Sequence, residues 1–288
     1  QRGHPPLGES MTSMQERKVT VDGSADLERR FGGVRRLYGA AALHRFQHAH
    51  VGIVGIGGVG SWVAEALARS GIGRITLIDL DMVAESNVNR QIHALDETLG
   101  KAKTEAMAER IRSINPACHI DTIEDFVSPE NVSSMLDKGF DCVVDAIDQV
   151  RTKAAMIAWC THQKITLITA GGAGGQSDPG RIEIADLSRT IQDPLLAKVR
   201  SVLRREYGFP RDPKKKFGIP AVYSSEPVRY PDTGNSCEAP ASPAGLNCAG
   251  YGSSVCVTAS FGLFAASEAL RQIMQRPRQA GSAESGLP

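Results

Sequence analysis

The sequence predicts an α/β fold: a doubly wound, mostly parallel sheet with helices on both faces and a C-terminal extension. Three observations predict it. Short apolar runs such as Val51-Gly52-Ile53-Val54 and Ile75-Thr76-Leu77-Ile78 have the length and continuous hydrophobicity of strands buried on both faces. The first run empties into Gly55-Ile56-Gly57-Gly58-Val59-Gly60, and a helical pattern on Trp62, Val63, Ala66 and Leu67 starts at once. The second run ends on Asp79. Strand, glycine turn, helix, strand and acid together make a Rossmann-like βαβ unit of the nucleotide-binding kind.

Taken in order, residues 1–26 are polar, rich in Gly, Pro and Ser, and lack an apolar core segment, so they read as a disordered leader. Residues 27–47 look helical, interrupted at Gly32-Gly33 and again at Gly39, and they carry Arg30 and Arg36. In the glycine turn, Gly55, Gly57, Gly58 and Gly60 permit φ > 0 and let a ligand approach without meeting a Cβ. The first turn of the following helix offers unpaired N–H groups and the positive end of its dipole to a phosphate. Tight strand-to-helix packing is the duller meaning of the same glycines. Asp79 ends the second strand, where a carboxylate can accept from ribose hydroxyls.

The segment beyond that acid points to ATP over NAD. Asp79-Leu80-Asp81 runs into Ser86-Asn87-Val88-Asn89-Arg90-Gln91. This places amides from Asn87 and Gln91 and the planar, oxyanion-binding fork of Arg90 beyond an acidic strand end. Gly100-Lys101-Ala102-Lys103 adds cationic donors at the start of a helix over residues 101–114, which stops at Asn115-Pro116. Residues 117–123 alternate as a strand. Ser128-Pro129-Glu130 reads as N-cap, first position and early acid of another helix.

Residues 140–147, Phe-Asp-Cys-Val-Val-Asp-Ala-Ile, form the next buried strand and deliver Asp145 and Asp148 at its carboxyl end, where ligands sit in doubly wound sheets. Asp148 suits either of two roles: a magnesium ligand, since that ion needs few protein carboxylates, or the N-cap of a helix over residues 150–162. A strand at 165–169 leads into the glycine-rich loop 171–176. A further strand spans 181–186, and a helix spans 193–207 with Leu196, Val199, Val202 and Leu203 on one face. Residues 209–218 hold Arg211, Lys214, Lys215 and Lys216, a dense basic run that reads as a solvated loop or a phosphate-backbone contact. Residues 232–251 form a Gly/Pro/Ser-rich loop with Cys237 and Cys248. Glu238 beside Cys237 works against a lowered thiol pKa. Residues 253–274 are apolar and helical, but Ser253, Ser254, Thr258, Ser260, Ser267 and Glu268 interrupt them. A span needs about 20 predominantly apolar residues, so no stable membrane span is expected and a buried or dimer-facing helix is. Residues 275–288 read as a flexible tail.

Composition narrows the class. With 41% hydrophobic and 23% charged residues, 288 residues can fill one large core. A net charge of +1 gives no overall pull on nucleic acid, so such a partner needs a local basic patch. Six cysteines without a CxxC pair fit neither a secreted disulfide framework nor a paired-cysteine zinc site, and the cytoplasm is the expected location. The expected boundaries are 27–186, an ATP-binding core, and 187–274, an extension of the same domain.

The glycine turn, Asp79, Asp81, residues 86–91, Lys103, Asn115-Pro116 and Asp145-Ala146-Ile147-Asp148 resemble the ubiquitin-activating-enzyme-like superfamily, whose members adenylate carboxylates. A closer resemblance is to the tRNA threonylcarbamoyladenosine dehydratases. It rests on Arg30-Phe31-Gly32-Gly33, Arg36-Leu37-Tyr38-Gly39, the run Asn89 to Leu95, the glycine loop 171–176 and Thr190-Ile191-Gln192-Asp193-Pro194, and covers about residues 30–274. The resemblance implies ATP and magnesium as cofactors, with the metal at Asp148 and with Arg90 and Lys103 on the phosphates; a monovalent cation is left open. It implies a homodimer in which Arg30 or Arg36 reaches the partner's ATP site, and a loop 171–176 that faces the substrate carboxylate. It implies a tRNA substrate bound through Arg211 and Lys214 to Lys216. Cys237 becomes an accessory thiol open to a cysteine desulfurase or sulfur-acceptor partner. The implied reaction is dehydration of threonylcarbamoyladenosine through an acyl adenylate. An adenylyltransferase for the C-terminal glycine of a ubiquitin-like sulfur carrier is the alternative, although such enzymes usually carry the CxxC pairs missing here. A non-catalytic partner subunit and an NAD dehydrogenase stand further off.

Overall fold

The computed structural model describes residues 25–230 and 251–276. Its centre is a seven-stranded sheet in the order β3-β2-β1-β4-β5-β7-β6. The strands are β1 (His50–Val54), β2 (Arg74–Ile78), β3 (His119–Ile123), β4 (Cys142–Asp145), β5 (Thr166–Ala170), β6 (Ile182–Asp186) and β7 (Pro220–Ser224). All pairs are parallel except β6 with β7. Parallel strands covered on both faces explain why β1 and β4 are buried along their whole length and read as unbroken apolar runs.

Side chains alternate between two apolar layers. Val51 and Ile53 join a cluster with α2 (Ala40–His48), α3 (Gly60–Arg69), α4 (Lys103–Ile114) and α8 (Val255–Gln275). Val54, Ile78 and Val143 join the opposite cluster with α5 (Val132–Leu136), α6 (Val150–Gln163) and α7 (Pro194–Glu206). The chain winds outward from β1 through β2 to β3, then returns to place β4 on the other side of β1. The switch point of the doubly wound sheet therefore lies between β1 and β4, where the connections leaving the two strands run to opposite faces of the sheet.

Several expectations change in detail. Gly32-Gly33 does not interrupt the first helix: α1 runs Leu27–Tyr38, and the break is at Gly39, whose φ of 90° turns the chain into α2. Phe31 is buried and anchors that helix, which offsets the helical cost of two glycines. Ser128 does not cap a helix starting at Pro129. Its Oγ accepts from Glu130 N and Asn131 N within a turn, and α5 begins only after Asn131. Strand β7 is not foreseen at all. It fills the slot between β5 and the antiparallel edge β6, so the segment after residue 186 supplies part of the same sheet.

α8 packs along α3. A Cβ on Gly262 would lie 2.6 Å from both Trp62 Cβ and Val59 O, so only glycine permits this approach. Among the described residues, no helix is long and apolar enough to cross a membrane.

Candidate active site

The carboxyl ends of β1, β4 and β5 open onto a cavity enclosing ≈ 800 Å³ of empty space, continuous with solvent. Its walls include Gly57 and Gly58, Arg90, Asp148, the glycine loop at Gly171 to Gly174, and Thr258 of α8. The switch point thus forms an open pocket beyond the carboxyl ends of the strands, where doubly wound sheets bind their ligands.

The glycine turn is shaped by close backbone packing. A Cβ on Gly60 would lie 1.7 Å from Gly55 O, and Gly55 itself has a φ of +88°. Around Gly57 the space is open, the nearest atom to an added Cβ being Gln91 Nε2 at 3.8 Å. The two glycines at the ends serve the fold, and the one at the tip leaves room for a ligand. No side chain caps the N-terminus of α3; Ser61 N and Trp62 N are bonded to Gly57 O and Val59 O within the turn, and the positive end of the helix dipole faces the glycine tip.

Asp79 braces this turn: its Oδ2 accepts from Ile56 N at 2.6 Å and its Oδ1 from Asp81 N at 2.8 Å. Acceptor capacity remains on both oxygens for ribose hydroxyls. Lys103 is buried to 6% exposure and its Nζ reaches Asp81 Oδ2 at 2.7 Å, which fixes a cation at the edge of the nucleotide unit. Arg90 is half-buried on the cavity wall; its guanidinium is steadied by Ser86 O and Asn89 Oδ1. Asn87 shapes the turn, accepting from Ala84 N at 2.9 Å. Gln91 is 5% exposed, and its Oε1 has no partner among the described residues.

Asp148 lines the cavity, and the N-cap position of α6 falls to Gln149 instead. Its neighbour in sequence, Asp145, is fully buried. Asp145 Oδ2 lies 2.9 Å from Lys153 Nζ and accepts from Thr169 Oγ1 at 2.7 Å. Lys153 also donates to Ile147 O at 2.8 Å, holding the segment that carries Asp148. On the far side, Asp193 Oδ2 accepts from Gly172 N at 2.9 Å and fixes the glycine loop.

Of the residues expected from sequence, the glycine turn, Arg90, Asp148 and the glycine loop at 171–174 come together, with Asp79, Asp81, Asn87 and Gln91 on the segments that flank the turn and Lys103 at the start of α4. Arg30 and Arg36 do not line the cavity. Arg30 donates to the carbonyls of Ser113 and Ile114 at the C-terminus of α4, and Arg36 is exposed. Arg211, Lys214, Lys215 and Lys216 are exposed on the loop after α7, away from the cavity wall. Cys237 lies outside the described residues. Sequence reasoning misses Lys153, Thr169 and Thr258, and it names Asp193 only as part of the motif Thr190 to Pro194 and as the start of a helix, without a role in the site.

His93, in the run just after Arg90, is 2% exposed with neither ring nitrogen partnered among the described residues. Burial first, then Lys103 and Arg110, lower its pKa from 6.5 to about 4. The unfolded chain takes up a proton near pH 6.5, whereas the folded chain does so only near pH 4. Stability is therefore full above that range and falls as the pH drops through it, by roughly 3 kcal/mol. Thermal melts between pH 7 and 4 should show a shallower fall in Tm for His93→Gln than for the unsubstituted chain.

The ThiF family model matches residues 33–284. A tRNA threonylcarbamoyladenosine dehydratase from Haemophilus influenzae is 54% identical over 260 residues, covering 90% of this chain and 98% of that one. Crystal structures of Escherichia coli tRNA N6-threonylcarbamoyladenosine dehydratase, TcdA, in complex with ATP and with AMP each superpose with a TM-score of 0.79. Each is 50% identical and covers 87% of this chain and 96% of that one.

Proposed function

The chain belongs to the ThiF family, and we propose that it is an ATP-dependent dehydratase that cyclises threonylcarbamoyladenosine in tRNA through an acyl adenylate. The observation that carries this reading is the cavity at the sheet's switch point. It joins an uncapped helix N-terminus and Arg90 to Asp148 and the glycine loop, in a chain similar over most of its length to a dehydratase crystallised with ATP.

A carboxylate is a poor electrophile because its leaving group would be oxide. Attack on the α-phosphate of ATP turns it into a mixed anhydride whose leaving group is AMP. In this reading Arg90, Lys103 and the glycine turn would offset charge on the phosphates. Asp148 would hold the magnesium ion, which neutralises phosphate charge when bound and needs few protein carboxylates. The ureido group of the same substrate then closes a ring on the activated carbonyl, an intramolecular step that proximity favours.

The finer parts of the reading are a cytoplasmic homodimer, completion of the ATP site by Arg30 or Arg36 of a second copy, and a sulfur partner acting through Cys237. A monovalent cation belongs to the same tier. Incubation with ATP, magnesium and modified tRNA tests the core of it: AMP should appear together with a nucleoside lighter by one water. Pyrophosphate exchange stimulated by a ubiquitin-like carrier protein, and not by modified tRNA, would overturn it.

The exposed basic run is the proposed contact to the tRNA backbone. Charge reversal at Lys214, Lys215 and Lys216 should weaken tRNA binding and lower the slope of log K against log salt by about 2, given 0.7–0.9 per phosphate contact. Anisotropy titrations at several salt concentrations measure it. An unchanged slope removes the run from the interface.

A further inference from the structure

Asp145 on β4, Lys153 on α6 and Asp193 at the start of α7 form one buried electrostatic group behind the cavity. Lys153 is spent on Asp145 and on Ile147 O. One cation thus serves two carboxylates, and the carboxylate it does not pair directly is Asp193. That side chain is 4% exposed and lines the cavity together with Asp148 and the glycine loop. It is held in place closely: Oδ1 accepts from Leu196 N at 2.8 Å and Oδ2 from Gly172 N at 2.9 Å. A Cβ on Gly171 would lie 1.9 Å from Oδ2, so the loop approaches the carboxylate as only glycine can. The residue before it, Gln192, has a φ of 55°, a left-handed conformation that costs a non-glycine residue about 1 kcal/mol. Capping α7 does not require that strain, since a helix can be capped from ordinary extended backbone.

We propose that Asp193 is the general base of ring closure. The inference rests on the dehydratase reading above. In the step it serves, the ureido group of the acyl adenylate gives up one N–H proton to the Asp193 carboxylate. The freed electron pair lets the ureido group bond to the acyl carbon. The bond from that carbon to the AMP oxygen breaks, and AMP leaves with the bonding pair. Asp193 then releases its proton to solvent, so the overall reaction yields ring, AMP, pyrophosphate and one proton. The amides of Leu196, Gly172 and Leu195 occupy only part of the carboxylate's acceptor capacity, leaving room for this proton. Burial, acting against the amides of Leu196 and Gly172 and against Lys153, raises its pKa above the ordinary carboxylate range, which makes it a stronger base. The charged groups around it are Lys153 from α6, with Asp145 of β4 behind it, Arg200 from α7, and Arg90 and Asp148 on the cavity wall.

The two half-reactions separate this role from a purely structural one. Pyrophosphate exchange dependent on modified tRNA reports adenylation, and mass spectrometry of the nucleoside reports ring closure. Asp193→Asn should lower the ratio of ring closure to exchange about 100-fold, within the range usual for loss of a general base. The acidic limb of the pH–rate profile for ring closure should disappear with it. Asp193→Ser, which retains a capping hydroxyl for α7, should lower the ratio likewise while melting as a folded protein. A preserved ratio and a preserved acidic limb in both variants would overturn the proposal. So would an equal loss of both half-reactions in a folded variant, because a brace for the glycine loop would act on both. Absence of exchange in the unsubstituted chain would instead strike the dehydratase reading itself.

Discussion

Lys153→Met is expected to lower the unfolding free energy by about 3–5 kcal/mol, the usual consequence of stranding a buried charge. Both members of the Asp145–Lys153 pair are fully buried, 2.9 Å apart. Without the ammonium group, Asp145 keeps Thr169 Oγ1 and a long contact from Ile147 N, too little to hold a carboxylate away from water. Ile147 O also loses its donor. Urea denaturation followed by tryptophan fluorescence measures the change. The double variant Lys153→Met with Asp145→Asn should recover much of the loss, because it removes the stranded charge along with its partner. A loss under about 1 kcal/mol in the single variant would show that the pair is unimportant to stability.

Asp148→Ala is expected to remove AMP formation by about 100-fold or more while leaving the fold in place. The side chain is partly exposed on the cavity wall and belongs to neither apolar cluster, so its truncation creates no core void. Its chemical loss is larger, since it removes the carboxylate proposed to hold magnesium against the phosphates. AMP release with modified tRNA, at magnesium concentrations up to tens of times the usual, gives the readout. Wild-type turnover in a folded variant would take the metal role away from Asp148.

Sequence foretold the nucleotide unit well for a physical reason. Gly55 and Gly60 meet backbone constraints that no other residue satisfies, and they are adjacent in the chain to the strand and helix that impose them. Local pattern and tertiary demand coincide there. Lys153 was invisible because a lysine in a helix normally faces water, and only the fold reveals that it points at Asp145. Asp193 was visible as the start of a helix and within a motif but not as part of a cavity, since its nearness to Gly172 spans a crossover in the sheet. Strand β7 escaped notice because it is five residues long, opens on Pro220 and lies just beyond a basic loop. The turn at Ser128 shows the converse. The residue types that start a helix also make a free-standing turn, and local chemistry does not choose between them.

The packing of α8 along α3 has a consequence for synthesis. The glycine turn and α3 leave the ribosome early, yet the helix that covers α3 comes some two hundred residues later, and Gly262 must seat against Trp62 before the layer closes. Until then the nascent chain carries a nearly finished nucleotide unit with one apolar flank bare, a natural target for chaperones. Among the described residues, the helix translated last completes the nucleotide unit built near the start of the sheet.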